Sequence, residues 1–394
     1  MKKISAWTKI FWTLFILFVS INVAIQITGN GYMYKAIIYR YADIDDLDVF
    51  ETRVVESGEP QPWPMASGYN KEKLPDSLEA ALIKYQSIAF LVIKDDSIQY
   101  EQYWDHYDKN SYSNSFSMAK SIVSVLVGIA LDEGKIKSLD EPVGNYLPHF
   151  NEGNNSKLTI RNVLTMSSGL NWDESYSSLF SITAKAYYGE NIEKLINGLK
   201  VVDEPGKKFD YMSGNTLLLA MIVEKATGMH LSNYASQKIW KPIGAELSAQ
   251  WSLDHSDGEE KAYCCFYSNA RDFARFGRLY LDDGMWNPPG QHEGGQQIVS
   301  KKYVRESVTP AAIDFDGSEK NCYGYQWWIT EEKGHRIFYA RGLRGQYVVV
   351  IPDERIIFVR LGIERDVARP DHKLPDLVTY IDGVLEMYGH STSR

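Results

Sequence analysis

The chain is predicted to be an α/β protein of the α+β type, in which an antiparallel sheet is flanked by helices and a mostly helical subdomain is inserted between its strands. Two observations predict this class. Runs rich in β-formers occur at residues 89–93 and 98–104, and four more follow residue 324, with short turns that indicate hairpins. Between these two regions the apolar residues recur mainly with helical spacing.

The N-terminal segment predicts a membrane anchor. Lys2, Lys3 and Lys9 precede an apolar stretch of 18 residues at 10–27, which is long for the core of a signal peptide. A basic flank keeps the N-terminus in the cytoplasm, so the rest of the chain is expected outside, on the periplasmic side of the inner membrane. We therefore favour a retained signal anchor within residues 1–30 over a cleaved signal peptide.

The remaining chain is divided by composition. Residues 31–76 contain Pro60, Pro62 and Pro64 among several glycines, which indicates a connector. Residues 77–394 are expected to form the functional domain. Its first elements are a short helix at 77–85 and the hairpin around residue 95.

Charge and cysteine content exclude several function classes. The net charge is −9, and no run of five basic residues occurs, so nucleic acid is not an expected partner. The three cysteines, Cys264, Cys265 and Cys322, cannot form a disulfide framework, and adjacent cysteines are strained partners for each other. The histidines are scattered singly, so no metal site is expected.

The stretch at 115–134 is the centre of the prediction. Its helical part is apolar on nearly every face, which indicates a helix buried inside a large domain. Ser117 and Lys120 lie three residues apart at its start and therefore share one face. Burial would lower the pKa of the lysine until it can accept the serine proton. This pattern predicts an activated serine nucleophile, although a first-turn serine can also be a simple helix cap.

Two later segments carry related chemistry. Tyr211 lies in a loop just before a helical pattern, where its hydroxyl would be able to relay a proton, unless it is an ordinary core tyrosine. Residues 340–346 follow a strand and contain two glycines. Glycine lets the backbone approach a bound group, so a free N–H there would stabilise an oxyanion, unless the segment is an ordinary turn.

Together, Ser-x-x-Lys at 117–120, Tyr-x-Ser at 211–213 and Ala-Arg-Gly at 340–342 resemble the serine β-lactamase and penicillin-binding-protein superfamily. The similarity is greatest to its class C-like branch, which includes esterases, D-aminopeptidases and 6-aminohexanoate-dimer hydrolases. Stretches at 158–170, 270–279 and 323–328 resemble the same branch, so the resemblance covers about residues 80–390. It implies a β-lactamase/transpeptidase-like fold.

The resemblance also implies roles for individual residues. Ser117 would be the acylated nucleophile, Lys120 its base partner and Tyr211 a general acid or base. The backbone N–H groups of Ser117 and Leu343 would form the oxyanion hole. Water would then hydrolyse the acyl-enzyme, and neither a metal nor an organic cofactor is implied.

The chain departs from the β-lactamase pattern at two motifs. Ser213 stands where β-lactamases have Asn, and Arg341 and Gly342 belong to a third motif without the usual Lys-Thr-Gly lysine. These departures move the expected substrate away from β-lactams, with the alternative that Arg341 or Arg344 supplies the missing charge in a different geometry. Ser213, Arg341 and Gly342 are candidate substrate contacts, and Trp172 and Tyr176 are candidate pocket walls for which core packing is the alternative.

The sequence therefore predicts a serine hydrolase that acts through an acyl-enzyme on a small amide, ester or peptide. The alternative is a membrane-anchored sensor or binding module for peptidoglycan or β-lactams, which keeps the fold without turnover. The chain has no Gly-x-Ser-x-Gly, which argues against an α/β-hydrolase.

Overall fold

The computed structural model describes residues 5–176, 178–291, 293–314, 322–367 and 374–390. The helices are α1 (Ala6–Ile27), α2 (Tyr32–Tyr39), α3 (Asp76–Lys84), α4 (Ala119–Asp132), α5 (Ile160–Leu164), α6 (Ile182–Tyr188), α7 (Ile192–Asn197), α8 (Ser213–Thr227), α9 (Leu231–Ala235), α10 (Ala270–Leu281), α11 (Lys301–Ser307) and α12 (Pro375–Tyr388). The strands are β1 (Thr52–Val55), β2 (Ser87–Lys94), β3 (Ser97–Tyr103), β4 (Ser113–Asn114), β5 (Ala249–Ser252), β6 (Phe266–Ser268), β7 (Met285–Trp286), β8 (Gln296–Gln297), β9 (Trp328–Glu332), β10 (His335–Gly342), β11 (Gln346–Ile351) and β12 (Ile356–Gly362).

A six-stranded antiparallel sheet in the order β3-β2-β12-β11-β10-β9 is the centre of the fold. Its side chains alternate between two cores, as the strand period of two requires. In β2, Leu91 and Ile93 face the helical core, whereas Phe90 and Val92 pack with α3 and α12. The predicted α+β class, with strands from both ends of the chain in one antiparallel sheet, is therefore confirmed.

The inserted helical region carries the central helix. From Ala119 to Ala130, every residue of α4 is buried, and α8 is also buried from Ser213 to Val223. The two helices pack against each other beneath the sheet. The predicted single helix at 115–134 differs at its start, because Phe116–Met118 forms a separate 3₁₀ turn.

The other predicted elements differ mainly at their ends. The helical spacing of residues 158–166 predicts a helix there, but Thr159 is the N-cap and α5 begins only at Ile160. The β-rich run from residue 325 predicts a strand, which begins at Trp328 after an irregular turn in which Gln326 has a φ of 61°. The Gly-, Pro- and Gln-rich residues 282–297 predict a surface loop, and this segment contains the small ribbon formed by β7 and β8.

Helix α1 covers the predicted anchor and is 22 residues long, with none of its hydrophobic window buried. It is long and apolar enough to cross a membrane of about 30 Å. Lys2 and Lys3, on which the predicted orientation depends, lie outside the described residues.

The segment predicted as a connector, 31–76, packs onto the domain. Strand β1 pairs with β5 in a second sheet of order β1-β5-β6-β4. Trp63, between two of the prolines, is only 3% exposed and donates from Nε1 to the Arg271 carbonyl at 3.0 Å. Around the prolines at 60–64 the chain is irregular, but Trp63 is still buried. Composition shows the irregularity and not the burial, so it suggested a linker.

Candidate active site

Ser117 lies in a tight turn between β4 and α4. The preceding residue, Phe116, has a φ of 42°, which is unfavourable for a residue with a Cβ and is held here by surrounding contacts. The Phe116 amide donates to Asn114 Oδ1 at 2.9 Å. The side chain of Ser117 is partly exposed, although its neighbours on both sides are buried. The turn therefore presents one hydroxyl to the solvent side of a buried helix.

Lys120 is buried beneath this hydroxyl, with 1% exposure. Its Nζ donates to Ser117 Oγ at 3.0 Å, to Ser213 Oγ at 3.2 Å and to the carbonyl of Tyr263 at 3.0 Å. Burial lowers the pKa of Lys120 to about 8, although the carboxylate of Glu174 acts in the opposite direction. A measurable fraction of the lysine is therefore neutral near pH 7 and able to accept a proton.

Tyr211 approaches the same serine from the loop before α8. Its ring centroid lies 5.2 Å from Lys120 Nζ. Burial raises the pKa of Tyr211 well above its usual value, while the nearby Ser117 hydroxyl and the charge of Arg341 lower it. The ring is held by Trp328, whose ring centroid lies 5.6 Å away. The structure thus brings Ser117, Lys120 and Tyr211 together.

The end of β10 comes close to the nucleophile turn. A Cβ on Gly342 would lie 2.3 Å from the Ser115 carbonyl oxygen, so only glycine permits this approach. The next residue, Leu343, lines the same cavity as Ser117. Ser117 and Leu343, the two residues of the expected oxyanion hole, therefore line the same cavity.

Arg341 lies elsewhere. Its guanidinium stacks 3.8 Å from the ring centroid of Trp328, and it is not among the residues that line the cavity containing Ser117. Its Nη1 is buried without a hydrogen-bond partner in the described part of the chain. In this position Arg341 lowers the pKa of Tyr211 through its charge, and it does not border the cavity in which the sequence predicts a contact with substrate.

Glu174 connects the remaining candidates and was missed by the sequence analysis. Its Oε1 accepts from Ser213 Oγ at 2.6 Å and from the Tyr176 hydroxyl at 2.5 Å. Its Oε2 accepts from the Ser213 amide at 2.7 Å and from Trp172 Nε1 at 2.6 Å. Ser213 and Tyr176 line the cavity, whereas Trp172 is buried against Gly214. Only the position of Glu174 between Trp172 and Tyr176 in the sequence pointed to it.

The cavity above Ser117 has a volume of about 660 Å³. Its lining is mainly apolar and includes Phe116, Leu179, Tyr187 and Cys264. Cys264 is joined to Cys265 by a disulfide bond, although the sequence analysis had considered adjacent cysteines strained partners. The disulfide directly follows Tyr263, whose carbonyl accepts from Lys120, so it lies next to the catalytic candidates.

One group of side chains has the residue types of a metal site. Ligand atoms of Glu224, His230 and Glu260 lie within 4.8 Å of one another. Glu260 already pairs with Arg53, with 2.7 Å between its Oε1 and Arg53 Nη1. None of the three residues lines the Ser117 cavity, so this group is separate from the candidate site.

Comparison with known proteins supports the fold and the class. The β-lactamase family model matches residues 75–362. The chain is 27% identical over 304 residues to the 6-aminohexanoate-dimer hydrolase of Paenarthrobacter ureafaciens, covering 74% of this chain and 76% of the relative. A protein of Escherichia coli K12 provisionally named a D-alanyl-D-alanine carboxypeptidase is 26% identical over 46% of this chain and 48% of its own length.

Solved structures show the same architecture. A Bacillus anthracis protein provisionally named a 6-aminohexanoate-dimer hydrolase superposes with a TM-score of 0.74 at 21% identity, covering 86% of this chain and 91% of the other. A family VIII carboxylesterase superposes with a TM-score of 0.63 at 16% identity, covering 83% and 99%.

The chain belongs to the β-lactamase family. Within that family it is a serine hydrolase related to amidases, esterases and carboxypeptidases. The resemblance predicted from the three motifs is therefore confirmed.

The burial of Lys120 predicts that Lys120→Met stabilises the fold near neutral pH. The pKa of Lys120 is about 8 in the folded protein, against about 10.4 for lysine in an unfolded chain. Because the unfolded state binds the proton more tightly, wild-type stability rises with pH between these two values. We expect Lys120→Met to raise the free energy of unfolding by about 2 kcal/mol at pH 7, and by less toward pH 10. Urea denaturation over this range measures it, and a gain independent of pH would contradict the lowered pKa.

Proposed function

We propose that the protein hydrolyses a small amide or ester through an acyl-enzyme formed on Ser117. The observation that carries the proposal is the 3.0 Å contact between Lys120 Nζ and Ser117 Oγ. A serine hydroxyl is a weak nucleophile until an adjacent base takes its proton. Here the adjacent lysine has a pKa of about 8, and Tyr211 lies near enough to Ser117 for the serine hydroxyl to lower the pKa of the phenol.

In the acylation step, neutral Lys120 accepts the proton of Ser117 while Oγ attacks the substrate carbonyl carbon. The negative charge on the carbonyl oxygen is stabilised by the backbone N–H groups of Ser117 and Leu343. Tyr211 donates its proton to the leaving amine or alcohol as the carbonyl–heteroatom bond breaks, and it recovers a proton from Lys120. Water then attacks the ester carbonyl by the reverse sequence, which releases the acid and restores Ser117.

The cavity supports amides and esters over β-lactams as substrates. The third motif lacks the lysine that would hold a β-lactam carboxylate, and Arg341 stacks on Trp328 outside the cavity. Arg344 does line the cavity, but its Nε and Nη1 already donate to the carbonyls of Ala42 and Ile363. Ser213 bonds Lys120 and Glu174, so its hydroxyl orients the base and does not need to contact substrate. One relative is named a 6-aminohexanoate-dimer hydrolase, and because two amino acids can be joined through an amide bond, this name agrees with the proposed substrate class.

The first test is covalent labelling of Ser117. We expect a fluorophosphonate probe to label the wild-type protein and the product of Ser117→Ala to remain unlabelled. Labelling is measured by gel fluorescence and the modified peptide by mass spectrometry. Ser121→Ala, which removes a neighbouring hydroxyl bonded to the Gln326 carbonyl at 2.7 Å, is the control. If no acylating probe labels the wild-type protein, a sensor without turnover is the better description.

The second test concerns the base. Lys120→Ala is expected to lower kcat for p-nitrophenyl acetate by roughly 10²–10³-fold, as loss of a catalytic contact does. For the wild-type enzyme, kcat/KM is expected to rise with pH to a plateau with a midpoint near 8, because the neutral amine is the active form. Glu174→Gln removes a charge that raises the pKa of Lys120 and should move this midpoint to lower pH.

Lys261→Ala is a matched control for this test. Lys261 is also fully buried, with a pKa lowered to about 7 by burial. Its Nζ donates to the carbonyls of Ala186 and Gly189 and lies 4.6 Å from the ring centroid of Phe50, so it makes no contact with Ser117. If both lysine variants lose activity equally, buried charge rather than the Ser117 contact is responsible, and the base assignment is wrong.

We also propose that α1 anchors the protein in the inner membrane, with the domain on the periplasmic side. The proposal is supported by the length and exposure of α1 and by the lysines before it. A C-terminal alkaline phosphatase fusion is expected to be active, because that reporter folds only outside the cytoplasm. An active cytoplasmic reporter at the same position would reverse the proposed orientation.

A further inference from the structure

The active-site cavity lies close to the expected membrane surface. Only residues 28–31 separate α1 from α2, and the hydroxyl of Tyr34 in α2 donates to Asn22 Oδ1 in α1 at 2.6 Å. Four residues span at most about 14 Å when fully extended. If α1 crosses the bilayer, α2 must therefore lie at the level of the lipid headgroups.

Helix α2 is also a wall of the cavity that contains Ser117. Ala36 and Ile37 line this cavity, together with Arg40 and Tyr41 just after the helix. The hydroxyl of Tyr32 donates to the carbonyl of Leu179 at 2.9 Å. Because Leu179 also lines the cavity, this bond holds α2 against the neighbouring part of the cavity wall. The same short helix therefore contacts both the anchor and the substrate space.

Large apolar side chains are exposed at and beside this cavity. Ile37, Tyr41 and Tyr176 line it and are exposed, Ile37 by 57% and Tyr41 by 73%. Ile38 and Phe180 do not line it and are 71% and 79% exposed. An apolar surface of this kind is costly in water but is typical of segments at a membrane interface, where aromatic residues are enriched. The exposure is thus explained if this face of the domain rests on the bilayer.

Basic residues lie beside the same face. A second cavity, between the end of α1 and helices α6 and α7, is lined by Lys35, Lys185 and Lys194 and by one carboxylate, Glu190, which pairs with Lys35 at 2.9 Å. Lysines at this level attract anionic headgroups. Charge and apolar exposure therefore indicate the same orientation.

From this geometry we infer that the substrate is a long-chain acyl ester or amide that enters from the bilayer. Its acyl chain packs against the apolar wall formed by Ala36, Ile37 and Leu179, and its carbonyl carbon lies next to Ser117 Oγ. The leaving alcohol or amine departs with the proton from Tyr211, and water releases the fatty acid. The inference rests on the hydrolase and the anchor proposed above.

The test compares two ester chain lengths with the full-length protein in phosphatidylcholine proteoliposomes, which avoids detergent in the cavity. Burying one additional methylene group strengthens binding about fourfold. We therefore expect kcat/KM for p-nitrophenyl decanoate to exceed that for the acetate by at least about 100-fold. A ratio near one would overturn the inference.

Two neighbouring isoleucines provide matched variants. Ile37 lines the cavity, whereas Ile38 is on the same exposed helix, is 71% exposed and does not line it. Ile37→Glu is expected to lower the decanoate-to-acetate ratio by about tenfold, and Ile38→Glu by less than about twofold. Both add the same charge near the bilayer, so equal effects would show that membrane contact, not the cavity, sets the preference, and would overturn the inference.

The outcome also separates the two proposals. Turnover of acetate without a preference for decanoate leaves the hydrolase intact and rejects the long-chain substrate. If neither ester is turned over while the protein is folded, the hydrolase proposal itself fails, and the inference fails with it.

Discussion

The burial of the Lys120 ammonium is the interaction on which the site depends. A charged group in an apolar interior is unfavourable, and the structure reduces that cost with three hydrogen-bond acceptors from three separate segments. They are the nucleophile turn, the start of α8 and the Tyr263 carbonyl. These segments meet only because α4 and α8 are buried together. The stable helical core is thus a requirement of the chemistry.

Glu174 adjusts this balance. Its carboxylate is bonded to Ser213 on both the amide and the hydroxyl, and Ser213 in turn contacts Lys120. The negative charge of Glu174 keeps the pKa of Lys120 from falling further when burial removes water from the ammonium. The result is a base that is partly neutral near pH 7 yet still strong enough to accept a proton. A carboxylate in the loop after Trp172 therefore tunes a lysine on another element.

The features that depend on residues close together in the sequence could be predicted. Ser117 and Lys120 share a helix face by spacing alone, and the strand runs alternate as a two-sided buried sheet requires. The contacts of Glu174 and of the Tyr263 carbonyl were not predictable, because both are set by tertiary packing. In addition, the acceptor at Tyr263 is a backbone carbonyl, which the type of side chain at that position does not reveal. Residues 31–76 were taken for a connector because their prolines are visible in the sequence, whereas the burial of Trp63 is not.

Arg341 shows why the motif departures matter physically. In place of a lysine reaching into the cavity, its guanidinium lies on the ring of Trp328, and Trp328 in turn packs on Tyr211. A cation there lowers the pKa of Tyr211 against the effect of burial, which makes the phenol a better proton donor to a leaving group. In the proposed mechanism the positive charge of Arg341 thus acts on the proton donor and not on a substrate carboxylate. The cavity lining is mainly apolar, although Arg40 and Arg344 also border it, and this agrees with the uncharged acyl chain that we infer as its occupant.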